Sequence, residues 1–521
     1  MYPQDREIEV KFSCDAEAFA LVLKTLASRG GTRREVKELH TIYFDTPDLR
    51  LRKMRSIVRV RHSAGKIPVL CFKSIPPQES GGFNRVELEV PTMNGQPDLS
   101  LFPAETVQWL SGLIGKKALK AQFEVRVKRT SLLWFQYGAE VEISADEGNV
   151  VSGVKTSPIA ELELELKSGE EGGLFKLAAD LTREFPLVLS FLNKSERGFR
   201  LIGALPAVPL SIPEPVFAPS TALDEIVQTS LSQALHHLMG HWDAAIDEQS
   251  PESIHQLRIA LRRLRTQLAN FSRIFPCREF VDIKQEGKAI AAVLGQLRSL
   301  DVLTATMNEL AADTHLNAST HRTINQIISQ RRAVAATEAR ALMSGPVASH
   351  FVLKARHVIV AQSWRMEERV VDAPIEEKKL DAFVSKTLDI QFKRVLKRGD
   401  GFSKLSTREL HSLRLALKAL NYTAGAFSYL FDRNGQAKQF QSESLRLQRG
   451  LGVLNDNDFA LQFCKELAEI GKIDLKAADA ALGEEVAYRM VSERKALHRR
   501  WKKLKKLRPF WRAIENRRNK A

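Results

Sequence analysis

Five stretches within the first 170 residues alternate a charged residue with an apolar one, and this pattern constrains the fold more than any other feature of the chain. In Glu7-Ile8-Glu9-Val10-Lys11, a β-strand puts Glu7, Glu9 and Lys11 on one face and Ile8 and Val10 on the other. The alternation returns in Val58-Arg59-Val60-Arg61 and in Arg85-Val86-Glu87-Leu88-Glu89-Val90. It returns again at Glu140 and Glu142, with Asp146 two residues beyond Ser144, and in Glu161-Leu162-Glu163-Leu164-Glu165-Leu166-Lys167. Lys73 closes the apolar run Val69–Phe72. Amphipathic antiparallel strands with a solvated outer face are common. Such faces normally mix Lys, Thr, Ser and Gln, whereas these are nearly pure Glu and Arg. Like charges opposite one another across a sheet destabilise it unless something neutralises them. The strands are therefore expected to curl so that their charges line a channel. Carboxylates without Cys or His suit Mg²⁺ or Mn²⁺ rather than Zn²⁺. Arg59, Arg61, Lys73 and Arg85 suit phosphate oxygens.

A chain of 521 residues exceeds one hydrophobic core, so two or more domains are expected. Strands are predicted near 5–12, 37–44, 56–62, 68–73, 83–90, 122–129, 132–136, 139–144, 149–155 and 159–167. Helices are predicted over 15–28, 105–115 and 171–184, with Asp15 as an N-cap and Gly30-Gly31 as a stop. Tyr43-Phe44-Asp45-Thr46-Pro47 reads as a strand end and turn, Cys71 as core, and His40 and His62 as surface groups. Residues 205–220 are proline-rich and read as a linker. From Thr221 onward, apolar residues recur at helical spacing and strand alternation disappears. The expected architecture is an α+β, largely antiparallel domain over 1–204, an all-α domain over 221–510 and a basic tail over 511–521.

Charge divides along the same line. Residues 1–205 hold 29 Lys or Arg against 27 Asp or Glu, so most of the net +16 lies beyond them, in the part expected to seek polyanions. Cys14, Cys71, Cys277 and Cys464 form no close pair, which fits a reducing compartment. The first strand leaves no room for a signal peptide, and no apolar run reaches the roughly 20 residues of a membrane span. A cytoplasmic location without membrane association is the expectation. No Ser/His/Asp or Cys/His arrangement, Walker A sequence or GxGxxG is present.

The opening Glu-x-Glu-x-Lys, Tyr43–Pro47, Arg59-x-Arg61, Glu161–Lys167 and Asn193-Lys194-Ser195 together resemble a CYTH domain, the triphosphate tunnel family, over about residues 1–203. The resemblance implies a closed antiparallel tunnel acting on triphosphates with divalent metal. By position, Glu7, Glu9, Glu161, Glu163 and Glu165 match the metal wall, which Glu87, Glu89, Glu142 and Asp146 can join. Lys11, Arg59, Arg61, Lys73, Arg85 and Lys194 match the phosphate wall, with Lys11, Arg59, Arg61 and Glu163 as the candidate catalytic set. In Phe123–Arg129, alternation puts Arg126 and Lys128 on one face and Arg129 on the other; the family pattern favours Arg129.

The second half repeats itself. His255-x2-Arg258-x3-Arg262 returns as His411-x2-Arg414-x3-Lys418, offset by 156 residues, and Leu294–Asp301 returns as Leu451–Asp458. On a helix, His255, Arg258, Arg262 and Arg265 form one stripe, and stacked cations of this kind call for an anion. These pieces, with Arg298, resemble a CHAD domain over about 221–510, which implies two pseudo-symmetric helical bundles and a basic groove for inorganic polyphosphate. Ser299 and Asn421 depart from the pattern, standing where an acid and an arginine are expected. His498–Lys520 is also basic, with Trp501, Phe510 and Trp511 interleaved. A final amphipathic helix with its aromatics inward is the expected reading there, rather than a nucleic-acid contact. The sequence thus points to a metal-dependent hydrolase of inorganic triphosphate with a polyphosphate-binding partner domain. The alternatives are an adenylate cyclase or thiamine triphosphatase on the same tunnel, or a non-catalytic polyphosphate binder.

Overall fold

The computed structural model describes residues 6–13, 15–74, 83–93, 95–204, 217–218, 221–247, 250–314, 318–365, 380–431, 435–469 and 478–513. The expected linker lies outside the described residues except at 217–218, as does most of the basic tail. The strands are Arg6–Ser13 (β1), Thr32–Asp45 (β2), Ser56–Ser63 (β3), Val69–Ser74 (β4), Asn84–Pro91 (β5), Lys120–Gln136 (β6), Ala139–Ser152 (β7), Lys155–Gly169 (β8) and Val188–Leu189 (β9). Among them run helices Ala16–Ser28 (α1), Arg50–Lys53 (α2), Ala104–Ile114 (α3), Glu171–Glu184 (α4) and Lys194–Leu201 (α5). The rest is helical: Leu223–Gly240 (α6), Trp242–Asp247 (α7), Pro251–Phe271 (α8), Arg278–Thr314 (α9), Ala318–Met343 (α10), Pro346–Val360 (α11), Leu380–Arg398 (α12), Thr407–Phe427 (α13), Gln436–Glu469 (α14) and Ala478–Lys506 (α15). Among the described residues, no helix is long and apolar enough to cross a membrane.

Nine strands, among the described residues, form one antiparallel sheet in the order β5-β4-β3-β2-β6-β7-β8-β1-β9. It closes on itself, because β1 also pairs with β5 through Arg6–Val86, Glu7–Arg85 and Ile8–Asn84. Directly paired residues share a face. Stepping strand to strand through Lys11–Glu163, Glu163–Ser144, Ser144–Ser131, Val125–Thr41, Thr41–Arg61, Arg59–Cys71, Lys73–Glu87 and Arg85–Glu7 assigns the alternating charges of the five stretches to the inside of the ring. The apolar partners face out. Val10, Phe12, Leu162 and Leu164 are fully buried beneath α1 and α4. Val58, Val60, Leu70 and Phe72 share a core with Leu110 and Ile114 of α3. Each such side chain contributes about 1.5–3 kcal/mol on burial, so the charged faces turn inward because the apolar ones are claimed by helices.

Two differences from the sequence expectation stand out. Residues 120–136 and 139–152 are each one long strand, not two. Alternation runs unbroken through Arg129 and Asp146, which face each other inside the ring; their charges look like breaks in a linear reading. Asp15 does cap α1, accepting from the Ala18 amide at 2.7 Å, and Gly30 leaves the helix at φ +105°.

Contacts divide the chain into two compact units, Met1–Pro213 with Ser232–Leu261 and Arg340–Met366, and Glu214–Leu231 with Arg262–Ala339 and Glu367–Ala521. Within the first, α11 packs along α4, with Arg356 paired to Glu171 at 2.8 Å and the Leu189 amide donating to Ser349 at 2.9 Å. Within the second, Leu303, Met307, Ile324, Ile328, Phe463 and Leu467 join α9, α10 and α14 in one core. Asn270 of α8 donates to Thr423 of α13 at 3.0 Å and accepts from Gln391 of α12 at 3.0 Å. The order α8-α9-α10 is repeated as α13-α14-α15, as the sequence repeat requires. Trp501, Phe510 and Trp511 are buried, which is the packing expected of a final amphipathic helix.

Candidate functional site

The inner charges meet in one cavity enclosing about 570 Å³ of space continuous with solvent. Lys11, Arg59, Arg61, Lys73, Arg129 and Lys194 all line it, with Glu7, Glu9, Asp146 and Glu163 opposite. The cations and carboxylates pair side by side along the inner wall, with Lys11–Glu163, Lys73–Glu87 and Arg129–Asp146 directly opposite in the register of adjacent strands. Lys194, only 8% exposed, reaches Glu163 at 2.7 Å, Asp146 at 2.8 Å and Glu161 at 2.9 Å. Arg129 grips Asp146 through two nitrogens at 2.7 and 2.6 Å and Glu163 at 2.5 Å. Lys11 contacts Glu163 at 3.0 Å and Glu9 at 3.1 Å. Lys73 contacts Glu7 at 2.5 Å and Glu87 at 3.0 Å; Arg59 reaches Glu87 at 3.3 Å, and Arg61 pairs with Glu89.

Val125, Val127 and Arg129 point into the ring, whereas Arg126 is exposed and pairs with Glu124. The alternative left open by alternation is thereby resolved for Arg129. Glu165 pairs with Lys167 at 2.6 Å, and Glu142 accepts from Ser144 at 3.3 Å. Arg85 sits opposite Glu7 in the register; its side chain lies outside the described residues.

Burial would neutralise these groups, and their partners reverse the effect. Burial raises Glu163, but Lys11, Lys194 and Arg129 outweigh it and hold the carboxyl well below the ordinary range. Asp146 is likewise lowered, against burial, by Lys194 and Arg129. Burial would depress Lys194 and Arg129, yet Asp146 and its neighbouring glutamates hold both well above their ordinary values. These four groups are therefore ionised at neutral pH. Burial pushes the Cys71 thiol up to about 11, so it is a neutral wall residue despite facing the lumen.

Glu9, Glu165 and Glu142 stand directly opposite one another on three adjacent strands. This all-oxygen donor row fits a hard divalent cation. A tighter convergence joins Cys71, Glu87 and Glu89, whose ligand atoms lie within 4.8 Å of one another. Arg59, Arg61 and Lys73 rest on those carboxylates, as Lys11, Arg129 and Lys194 rest on Glu163.

Sequence reasoning missed the supports of this site. Asp45, fully buried, accepts from the amides of Thr46, Leu51 and Arg52 at 2.7, 3.0 and 2.9 Å and so folds the turn into α2. Arg52 then grips Glu196 of α5 through two nitrogens. Arg197 holds Glu161 at 2.8 Å. Its i, i+3 spacing from Lys194 was the available signal.

Residues 5–199 match the CYTH domain family and residues 229–465 the CHAD domain family. The chain carries a CYTH domain followed by a CHAD domain. It is 26% identical over 201 residues to an inorganic triphosphatase of Haemophilus influenzae, covering 38% of this chain and 55% of that protein. It is 23% identical over 311 residues to an uncharacterized protein of Mycobacterium tuberculosis, covering 57% of this chain and 56% of that one. The chain thus spans little more than half the length of these relatives. Among solved structures, the CHAD domain of the plant Ricinus communis aligns at 21% identity with a TM-score of 0.44, covering 59% of this chain and 97% of that one.

In the CHAD domain, α8 carries His255, Arg258, Arg262 and Arg265, all partly buried; the first two fall in the first compact unit and the last two in the second. α13 carries His411, Arg414 and Lys418, and α9 carries Arg298. His411 Nδ1 meets Asn455 Oδ1 at 2.6 Å. Burial lowers Arg265 and Arg414, and Arg262 lowers both further, so guanidiniums from the two repeats crowd together. The buried Nε atoms of Arg265 and Arg414 have no hydrogen-bond partner. At the departures, Ser299 folds back onto the Gly295 carbonyl at 2.8 Å, and Asn421 donates to Gln448 at 2.8 Å.

Proposed function

We propose that the CYTH ring hydrolyses inorganic triphosphate to pyrophosphate and phosphate with Mg²⁺ or Mn²⁺. One observation carries this reading: Lys11, Arg59, Arg61, Lys73, Arg129 and Lys194 converge on one cavity and pair there with carboxylates of neighbouring strands. A bound triphosphate, with about four negative charges, replaces those carboxylates as partner of the cations. The carboxylates are then released for a metal. Glu7, Glu9, Glu142, Glu163 and Glu165 would hold it, and it supplies charge neutralisation and polarisation of phosphate oxygens when bound. Glu163 lines the cavity among these cations, where it can accept a hydrogen bond from the attacking water and orient it. Arg59 and Arg129 disperse the charge that builds on the transferred phosphoryl group, and Lys11 and Lys194 hold the chain in line.

A turnover panel of inorganic triphosphate, ATP and thiamine triphosphate, with Mg²⁺ and then Mn²⁺, tests the proposal. Phosphate release from inorganic triphosphate, lost in Lys11→Ala, is expected. Preference for ATP with cyclic product, or for thiamine triphosphate, replaces the substrate, and no turnover leaves a binding protein. The CHAD domain is proposed to bind inorganic polyphosphate rather than nucleic acid, on the crowding of Arg262, Arg265 and Arg414 and on the Nε atoms of Arg265 and Arg414, which have no hydrogen-bond partner among the described residues. Cys71, Cys277 and Cys464 are free and buried, which suits a reducing cytoplasm.

A further inference from the structure

The inside of the strand ring is polar over only part of its length. Register places Phe123, Val125 and Val127 of β6, Val150 of β7 and Ile159 of β8 on the same inner face as Arg129, Asp146 and Glu161. α5 lies on this apolar stretch, where Phe199 joins Phe123, Val125, Val127, Val150 and Ile159 in one buried core. The helix is a stopper seated within the ring, and its first residue is Lys194.

How deeply the stopper sits is set at one contact. Gly198 rests on the Phe123 ring so closely that a β-carbon at 198 would overlap three ring atoms. The ring cannot yield: it stacks on Tyr43 at 4.8 Å and meets Phe199 edge-on at 5.1 Å. Any side chain at 198 must lift α5 instead. Arg52–Glu196 and Arg197–Glu161 also hold α5, at the two residues just before Gly198. Lys194 is one turn away on the same short helix, within 2.7–2.9 Å of three carboxylates. A shift of an ångström breaks contacts of that length.

We infer that Gly198 is a positioning residue: its missing side chain lets α5 seat on Phe123 and so delivers the Lys194 ammonium to the Asp146–Glu161–Glu163 cluster. The inference rests on the triphosphatase reading for the role of Lys194 toward phosphate. The seating itself stands apart from that reading.

The test is a set of full-length variants: Gly198→Ala, Lys194→Ala, the two combined, and Gly198→Ala with Phe123→Leu. Losing a charge-assisted contact raises KM for inorganic triphosphate about tenfold or more in either single variant, with a smaller change in kcat. The double variant is expected to be no worse than Lys194→Ala, because both changes remove the same contact. Phe123→Leu makes room for the methyl group and restores KM toward wild type. A second readout needs no substrate. Lys194 is only 8% exposed and rests on three carboxylates, so its amine resists acetic anhydride in the wild type and becomes reactive in folded Gly198→Ala, as read by mass spectrometry. Gly198→Ala within twofold of wild type in KM with Lys194 still protected from acetylation, or effects that multiply in the double variant, overturns the inference. If Gly198→Ala does not fold, the Phe123→Leu combination decides: recovery of fold and KM supports seating, and a folded protein without recovery overturns it. A wild type that never turns over triphosphate sinks the activity reading alone, since the labelling of Lys194 still reports on Gly198.

Discussion

Glu163→Gln asks the most of the structure. The side chain is nearly the same size, so the change removes charge while keeping volume. In the native protein the carboxylate is 8% exposed and meets Lys11 at 3.0 Å, Arg129 at 2.5 Å and Lys194 at 2.7 Å. Asp146, Glu161 and Glu9 remain to share those cations, so none is wholly abandoned. Removing one partner of a buried ionic network costs about 3–5 kcal/mol, and the remaining carboxylates place this case at the low end, about 3 kcal/mol. For a unit of this size each kcal/mol is worth about 2–4 °C, so a fall of about 6–12 °C in its melting transition is expected near pH 7. The sign with pH follows from the depressed carboxyl. Its contribution is present above the unfolded pKa and is lost as pH falls through the folded value. Wild type and Glu163→Gln should therefore converge on acidification. Anions offer a further check, because inorganic phosphate can take the place of the lost carboxylate and should stabilise the variant more than the wild type. Calorimetry across pH 3–8, with and without phosphate, reads all three. An unchanged melting temperature at pH 7, or a gap that widens toward acid, refutes the network as described.

Asp45→Ala removes the acceptor for three buried amides and should cost about 2–4 kcal/mol, seen as a lowered denaturant midpoint with an unchanged slope. Cys71, with its thiol raised to about 11, should resist iodoacetamide at pH 8 in the folded protein and react once denaturant is added, as read by mass spectrometry. Arg414→Ala should weaken polyphosphate binding and flatten its dependence on salt, measured by titration at several ionic strengths.

Much of this was legible in the chain because charge and hydropathy alternate with period two. Glu7, Glu9, Lys11, Arg59 and Glu163 could be assigned one face, and the helices of the second half could be paired by their repeat. What could not be read was which strands lie side by side. Glu9 beside Glu165, and Arg59 beside Cys71, depend on register between segments far apart in sequence. Charges inside strands, such as Arg129 and Asp146, looked like interruptions because their partners were invisible. The supports were hidden for another reason. Asp45 acts through backbone amides, and Gly198 through an absent side chain, neither of which leaves a periodic trace.

Closure of the ring has a consequence for assembly. β1 completes the circle through three residue pairs with β5, and its remaining length lies against β8 and β9, with Lys11 opposite Glu163. Among the described strands β1 is made before its partners and must wait for Glu163, about 150 positions downstream, and pairing over such a separation is slow. Until then Ile8, Val10 and Phe12 have no roof, and the half-made sheet keeps two raw edges. Birth order and docking order run in opposite directions here, and a chaperone bound to the nascent N-terminal segment would guard the protein at its most vulnerable stage.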